Sequence, residues 1–288
     1  MSPFSSTTTE TARGAAGAVP RRSGSASRLL ARLVSALPWR PVLGMLAFLV
    51  LLETLPHSGL VNPRYLPPLD RMLTALANQA GSSGFWDALG ATLRGSAIGL
   101  AIAMAAGVVV GVALGSSRVL CELTTSTVEF FRPIPAVALI PVMVLVIGPN
   151  ATSTVVLVAY ASFWQVLIQV IYGVQDTDPV AYETAASFRF SRLRTLRSVV
   201  WPSALPYVWT GLRLASTMAL IVEITGELVI RSPGIGRQIA LAQSADQVDN
   251  LYALVIVAGL IGVIGNVVVR RLEAKTLHWH PSVTGVER

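Results

Sequence analysis

The sequence predicts an all-α integral membrane protein with about six transmembrane helices. Three observations carry that expectation. Hydrophobic residues make up 53% of the 288-residue chain and charged residues only 13%, about half the charged fraction of a soluble domain. Several apolar runs are long enough to cross a hydrocarbon core of about 30 Å as helices. The arginines gather between those runs, as they do when short loops are held on the cytoplasmic side. The net charge of +7 therefore speaks for membrane topology and against nucleic acid, which calls for a basic soluble face.

Residues 1–38 are rich in Ser, Thr, Ala, Gly and Arg without periodicity, the composition of a flexible tail. The first span is expected at about Trp39 to Leu55. Pro-His-Ser-Gly-Leu follows it, not a small-residue cleavage site, so it reads as an uncleaved anchor with its N-terminus in the cytoplasm. A proline-containing segment then leads into an amphipathic surface helix from Leu69 to Ala80. The second span, about Ala88 to Leu114, carries Gly95, Gly99, Ala103, Gly107, Gly111 and Gly115 at every fourth residue. Small residues in that register let another backbone approach closely, a packing device where lipid removes the hydrophobic drive for helix pairing.

The third span, about Leu123 to Ile147, must break or kink at Pro133, Pro135 and Pro141. Such breaks at membrane depth are tolerated where the backbone faces protein or a water-filled path. Gly148-Pro149-Asn150 turns the chain outside. The fourth span is expected at about Thr152 to Tyr172, the fifth at about Tyr207 to Ile230 and the sixth at about Leu251 to Val269, with a short outer helix over S-P-G-I-G-R-Q-I-A-L-A-Q. Six spans place both termini inside, with Arg118, Arg270, Arg271 and Lys275 on the same side.

Between the fourth and fifth spans lies a polar platform, Asp176 to Pro206, with four arginines within nine residues. Asp178-Pro179 is a cap and first-turn pair, and Ser191 offers a second cap. Two short helices follow from this, the second ended by Pro202. Arg192 and Arg194 at the start of that helix oppose its dipole, so they answer to lipid phosphates or to an acidic partner surface.

Here the residues match a family. Glu183, Thr184, Ala185, Ser191, Arg192, Val199, Pro202 and Pro206 resemble the cytoplasmic loop of permease subunits of binding-protein-dependent ABC importers, with Arg189 where that family has glycine. The resemblance runs from about Leu93 to the C-terminus. It includes F-F-R-P-I-P-A-V-A-L-I-P (Phe130 to Pro141), L-P-Y-V-W-T-G-L-R-L-A (Leu205 to Ala215) and S-P-G-I-G-R-Q-I (Ser232 to Ile239). It is most similar to the sulfonate, taurine, nitrate and bicarbonate subfamily.

The resemblance implies a type I importer (MetI-like) fold in a bacterial inner membrane. Residues 39–272 would form the permease domain, with a coupling loop at 176–206 and a cytoplasmic tail at 273–288. It implies a homodimer, two cytoplasmic ATPases contacting Glu183, Thr184, Ala185, Arg189, Ser191 and Arg192, and an external binding protein. ATP and Mg would belong to the ATPase. This chain could not hold them in a P-loop, because its only lysine, Lys275, follows Ala274.

Charged and polar residues inside spans are the candidates for the translocation path: Glu129, Arg132, Pro133 and Pro135 around the broken third span, Gln165 and Gln169 in the fourth, and Arg213 and Glu223 in the fifth, where Glu227 lies one turn further on. No catalytic, metal or cofactor constellation is expected. His278 and His280 lack further ligands, Gly234-x-Gly236 lacks the third glycine of a dinucleotide site, and Cys121 is the single cysteine. The rival reading is an ion-driven secondary transporter or channel without an ATPase, against which no inverted repeat is visible.

Overall fold

The computed structural model describes residues 39–62 and 64–277, so the expected N-terminal tail and the His278–His280 pair lie outside the described residues. All regular structure among the described residues is helical. The chain divides into two units, one ending at Leu52 and one beginning at Glu53. Helix α1 (Trp39–His57) carries a shorter apolar stretch, Leu43–His57.

From Glu53 onward the elements follow the predicted order. Helix α2 (Leu69–Ala80) is the amphipathic helix, with Met72 and Ala75 buried. Pro68 precedes it and offers no side-chain cap, and the Glu53 carboxylate instead accepts from the Leu69 amide at 2.9 Å. Helix α3 (Ser83–Gly115), α4 (Arg118–Phe131), a 3₁₀ turn (Ala136–Leu139), α5 (Ile140–Ile147) and α6 (Ala151–Gln175) come next. Three helices are long and apolar enough to cross a membrane, namely α3, α6 and α11 (Val248–Thr276). The pair Arg118–Phe131 and Ala136–Ile147, bent by 76°, meets the same measure of length and apolarity only when taken together, as a broken span or a re-entrant loop. This is the span that the prolines predict to break. Helix α9 (Trp201–Ile230) is long but more polar, and α10 (Ile235–Ser244) is the short outer helix. The sixth span continues as helix to Thr276, past the expected start of the C-terminal tail.

Helix α6 is the centre of the fold, packed between α3 and α9. Val158, Val166, Val170 and Val174 are at most 2% exposed and meet the α3 glycines in register. A Cβ placed on Gly99, Gly107, Gly111 or Gly115 would fall within 2.5–2.8 Å of the side chain of Val158, Val166, Val170 or Val174 respectively. Gly95, at the outer end of the stripe, faces the Glu223 carboxyl instead. On the α9 side the roles alternate: Gly173 of α6 accepts Tyr207, while Gly211 and Gly226 of α9 receive Gln169 and Thr154. The dispersion gained by such close contact substitutes for the hydrophobic drive that lipid cannot provide.

One boundary differs from the sequence expectation. The second platform helix does not stop at Pro202. Helix α8 (Arg192–Thr195) passes through a π turn (Leu196–Val200) straight into α9, with Pro202 in its first turn. The Trp201 amide reaches back to the Leu196 carbonyl, five residues away. The wider turn relieves the clash of the proline ring with the preceding carbonyls and leaves its missing donor without consequence. The helix that holds the expected fifth span therefore begins at Trp201 and not at Tyr207.

Candidate functional site

The break in the third span opens a groove of about 500 Å³ between α4 and α6. Glu129, Arg132, Pro133 and Gln165 line it together, as do Cys121, Thr124, Thr125 and Tyr172. The break is held open by satisfied polar groups. Tyr160 donates its hydroxyl at 2.8 Å to the Phe131 carbonyl, which also accepts from the Ile134 amide at 3.2 Å. The Phe131 ring stacks on Trp164 with centroids 6.3 Å apart. Gln175 donates to the Cys121 sulfur at 3.3 Å, tying the inner end of α6 to α4.

The other four expected path residues lie elsewhere. Pro135 precedes the 3₁₀ turn, Gln169 packs against Gly211, and Arg213 is paired with Glu273 of α11. Glu223 is 3% exposed and turned toward Gly95. Conversely, Thr124, Thr125 and Cys121 were missed. Their signal was the helical spacing of 121, 125, 129 and 132, which aligns a polar stripe on one face of α4.

The platform begins at α7 (Pro179–Ser187). Asp178 caps it, accepting from the Val180 amide at 2.8 Å. It ends in a Schellman motif: the Phe190 amide returns to the Ala185 carbonyl and the Arg189 amide to Ala186, both at 2.9 Å. Arg189 occupies the left-handed position with φ 54°. The family's glycine has been replaced, yet the turn survives, at a cost of about 1–2 kcal/mol for a side chain in that region. Ser191 then caps α8, accepting from the Arg194 amide at 3.3 Å. Arg194 lies over the Phe190 ring, 4.1 Å from its centroid, and Ala185 is buried beneath the turn. Glu183, Thr184, Arg189, Ser191 and Arg192 are exposed. Among the described residues, neither the Glu183 carboxylate nor any of the four platform arginines forms an ion pair.

Residues 103–275 match the family described as binding-protein-dependent transport system inner membrane component. The chain belongs to this family. Among its relatives, the taurine transport system permease protein TauC of Escherichia coli is 30% identical over 78% of this chain and 83% of its own length. The putative aliphatic sulfonates transport permease protein SsuC of Escherichia coli is 29% identical over 87% of this chain and 94% of its own. The bicarbonate transport system permease protein CmpB of Synechococcus elongatus is 29% identical over 78% and 84%. Two solved structures share the fold at 20% identity. A MetNI methionine ABC transporter in an inward-facing conformation has a TM-score of 0.52 and covers 63% of this chain and 92% of its own. An amino acid ABC transporter with histidines has a TM-score of 0.54 and covers 67% and 92%. This permease thus has the MetI-like architecture.

The permease also contains a buried polar cluster at the C-terminal end of α9. Glu227 is fully buried and accepts from the Thr92 hydroxyl of α3 at 2.7 Å and from the Gly236 amide at 2.8 Å. Thr92 in turn accepts from the Ile235 amide at 2.9 Å. A carboxylate thereby caps the first turn of α10, where orphan amides and the helix dipole favour it. Gly236 is glycine because a Cβ there would fall 2.7 Å from the Glu227 Cβ and 2.9 Å from the Leu228 amide. Among the described residues, no three His, Cys, Asp or Glu side chains assemble as a metal site.

Proposed function

We propose that this permease conducts a small solute bearing an anionic group, and that the groove at the broken third span belongs to its path. The observation that supports the path is the gathering of Arg132, Glu129, Gln165, Thr124 and Thr125 around an open cavity. Side chains of this cost at membrane depth are characteristic of solute pathways. Taurine, sulfonates and bicarbonate, named for the relatives, share an anionic group, and an arginine fork pairs with such groups through two parallel hydrogen bonds.

In this reading two copies of the chain enclose the path in the bacterial inner membrane. Two ATPases, holding ATP and Mg, dock from the cytoplasm on Asp178 to Trp201, and an external binding protein delivers the solute. Glu183, exposed on α7 and without an ion pair among the described residues, supports that docking. Purification of the tagged full chain from its own membrane tests the assembly. An ATPase subunit at equal stoichiometry is the expected result. Solute uptake by vesicles that lack both ATPase and ATP would instead establish an ion-driven carrier.

The orientation has its own test. In a Cys121→Ser background, cysteine at Ser58 reacts with a membrane-impermeant thiol reagent in intact cells, while cysteine at Ser198 is protected until the membrane is opened. Labelling of position 198 from outside would invert the topology.

A further inference from the structure

We propose that Glu223 is a proton-binding site. Its carboxyl carries a proton while α3 and α9 are packed together, and any state in which that seam opens to water releases it. The packing of the permease is thereby linked to pH. The inference is independent of the ATPase and of the groove at the broken third span.

Hydrogen bonding at the two carboxyls of α9 carries it. Glu223 and Glu227 stand one turn apart and are 3% and 0% exposed. Glu227 accepts from the Thr92 hydroxyl and the Gly236 amide, the kind of donors that an ionised carboxylate needs. Glu223 Oε2 is buried with no hydrogen-bond partner, and among the described residues no ion pair includes this side chain. The α3 backbone closes on it, so that a Cβ at Gly95 would fall 2.6 Å from the carboxyl carbon. Further along the stripe the same slot receives valines; here it holds a carboxyl. No cation compensates for it. Asp87 and Arg94 of α3, Arg197 of the π turn and Arg237 of α10 are exposed, and Arg213 is paired with Glu273. The helices α5 and α6 contain no Asp, Glu, His, Lys or Arg, and α11 has none between Asp249 and Arg270. The phenols of Tyr160 and Tyr252 donate to backbone carbonyls of Phe131 and Tyr65. The neighbouring charge on α9 itself is Glu227, of the same sign. An isolated carboxylate withdrawn from water costs far more than the neutral acid, so the proton stays with Glu223. A metal ion fits less well, because Glu227 is already engaged by its own donors and no three His, Cys, Asp or Glu side chains gather among the described residues.

The packed state then binds one proton more than the unfolded chain, in which Glu223 is solvated. Its stability is complete below about pH 4.3 and falls as pH rises, by up to about tenfold in the folding equilibrium per pH unit. The test uses the purified full-length permease in neutral detergent. Its infrared spectrum at neutral pH should show the C=O stretch of a protonated carboxyl, and Glu223→Gln should lack it. The amide keeps the shape of the side chain and has no proton to lose. From about pH 5 to about pH 8 the melting temperature of Glu223→Gln should therefore gain several degrees on that of the parent. Glu223→Leu, which fills the slot as the valines do, gives the same comparison if the glutamine variant fails to accumulate. Absence of the carboxyl band in the parent, its survival in the variants, or a melting difference that stays constant with pH each overturns the inference. If sodium chloride in place of choline chloride raises the melting temperature of the parent but not of the variants, the carboxylate is ionised on a metal ion and the inference fails.

Discussion

If the ATPase docks on the platform as proposed, Glu183→Ala should leave the permease inserted and folded but lower solute uptake by at least about tenfold. The two halves of this outcome have separate physical origins. Glu183 is exposed on α7 and its carboxylate forms no ion pair among the described residues. Removing an exposed charge of that kind alters stability by no more than about 0.5 kcal/mol. When the same carboxylate is enclosed by a partner, its loss strands the opposing donor, and truncation of one member of such a pair costs about 2–5 kcal/mol. Each 1.4 kcal/mol is a factor of about ten in affinity. Uptake into cells and ATPase pull-down decide the matter, with membrane abundance of the variant as the control. Normal uptake with normal ATPase association would remove the platform from the coupling mechanism.

Gly107→Leu has the largest expected effect on the fold itself. A Cβ at Gly107 already falls 2.8 Å from the Val166 Cβ and 3.3 Å from the Leu167 amide nitrogen. The second neighbour is backbone and cannot rotate away. The rest of a leucine side chain must then be accommodated by separating α3 from α6, the central helix of the fold. Overpacking of a well-fitted core costs about 1–3 kcal/mol, and here loss of the neighbouring glycine contacts adds to it. The melting temperature in detergent should fall by several degrees, with reduced yield. Gly259→Leu is the control, because nothing lies within 4 Å of a Cβ at that position. Equal melting of the two variants would refute the packing role of the stripe.

Much of this architecture was legible because its signals are local or periodic. The glycine spacing of the second span announced a close contact, and only the identity of the contacting helix, α6, was missing. Asp178 and Ser191 read as caps and are caps. The amphipathic pattern placed α2 at Leu69–Ala80. What stayed hidden depends on partners distant in the chain. Arg213 reads as a suspect charge inside a span, but its pairing with Glu273 joins two helices with no shared motif. Glu227 meets Thr92, 135 positions earlier, and no spacing rule connects them. Four of the eleven residues lining the groove were anticipated, since prolines and polar or charged groups stand out in an apolar run. The threonines on the same face did not, because a hydroxyl is common in spans and returns its own hydrogen bond to the helix, as Thr125 does to the Cys121 carbonyl. Pro202 misled for a different reason. A proline reads as a stop only if the preceding turn is α-helical, and here that turn is π.

That π turn leaves the backbone helical without interruption from Arg192 to Ile230, roughly 55 Å at about 1.5 Å per residue. One continuous run of helix therefore joins the platform to the polar cluster around Glu227. Its far end is bolted through Glu227 to α10 and through Thr92 to α3. A tilt of about 5° at the platform swings that end by about 5 Å, close to one helical turn. In the docking reading proposed above, a displacement at the platform would thus reach the opposite end of the helix with no loop between them to absorb it.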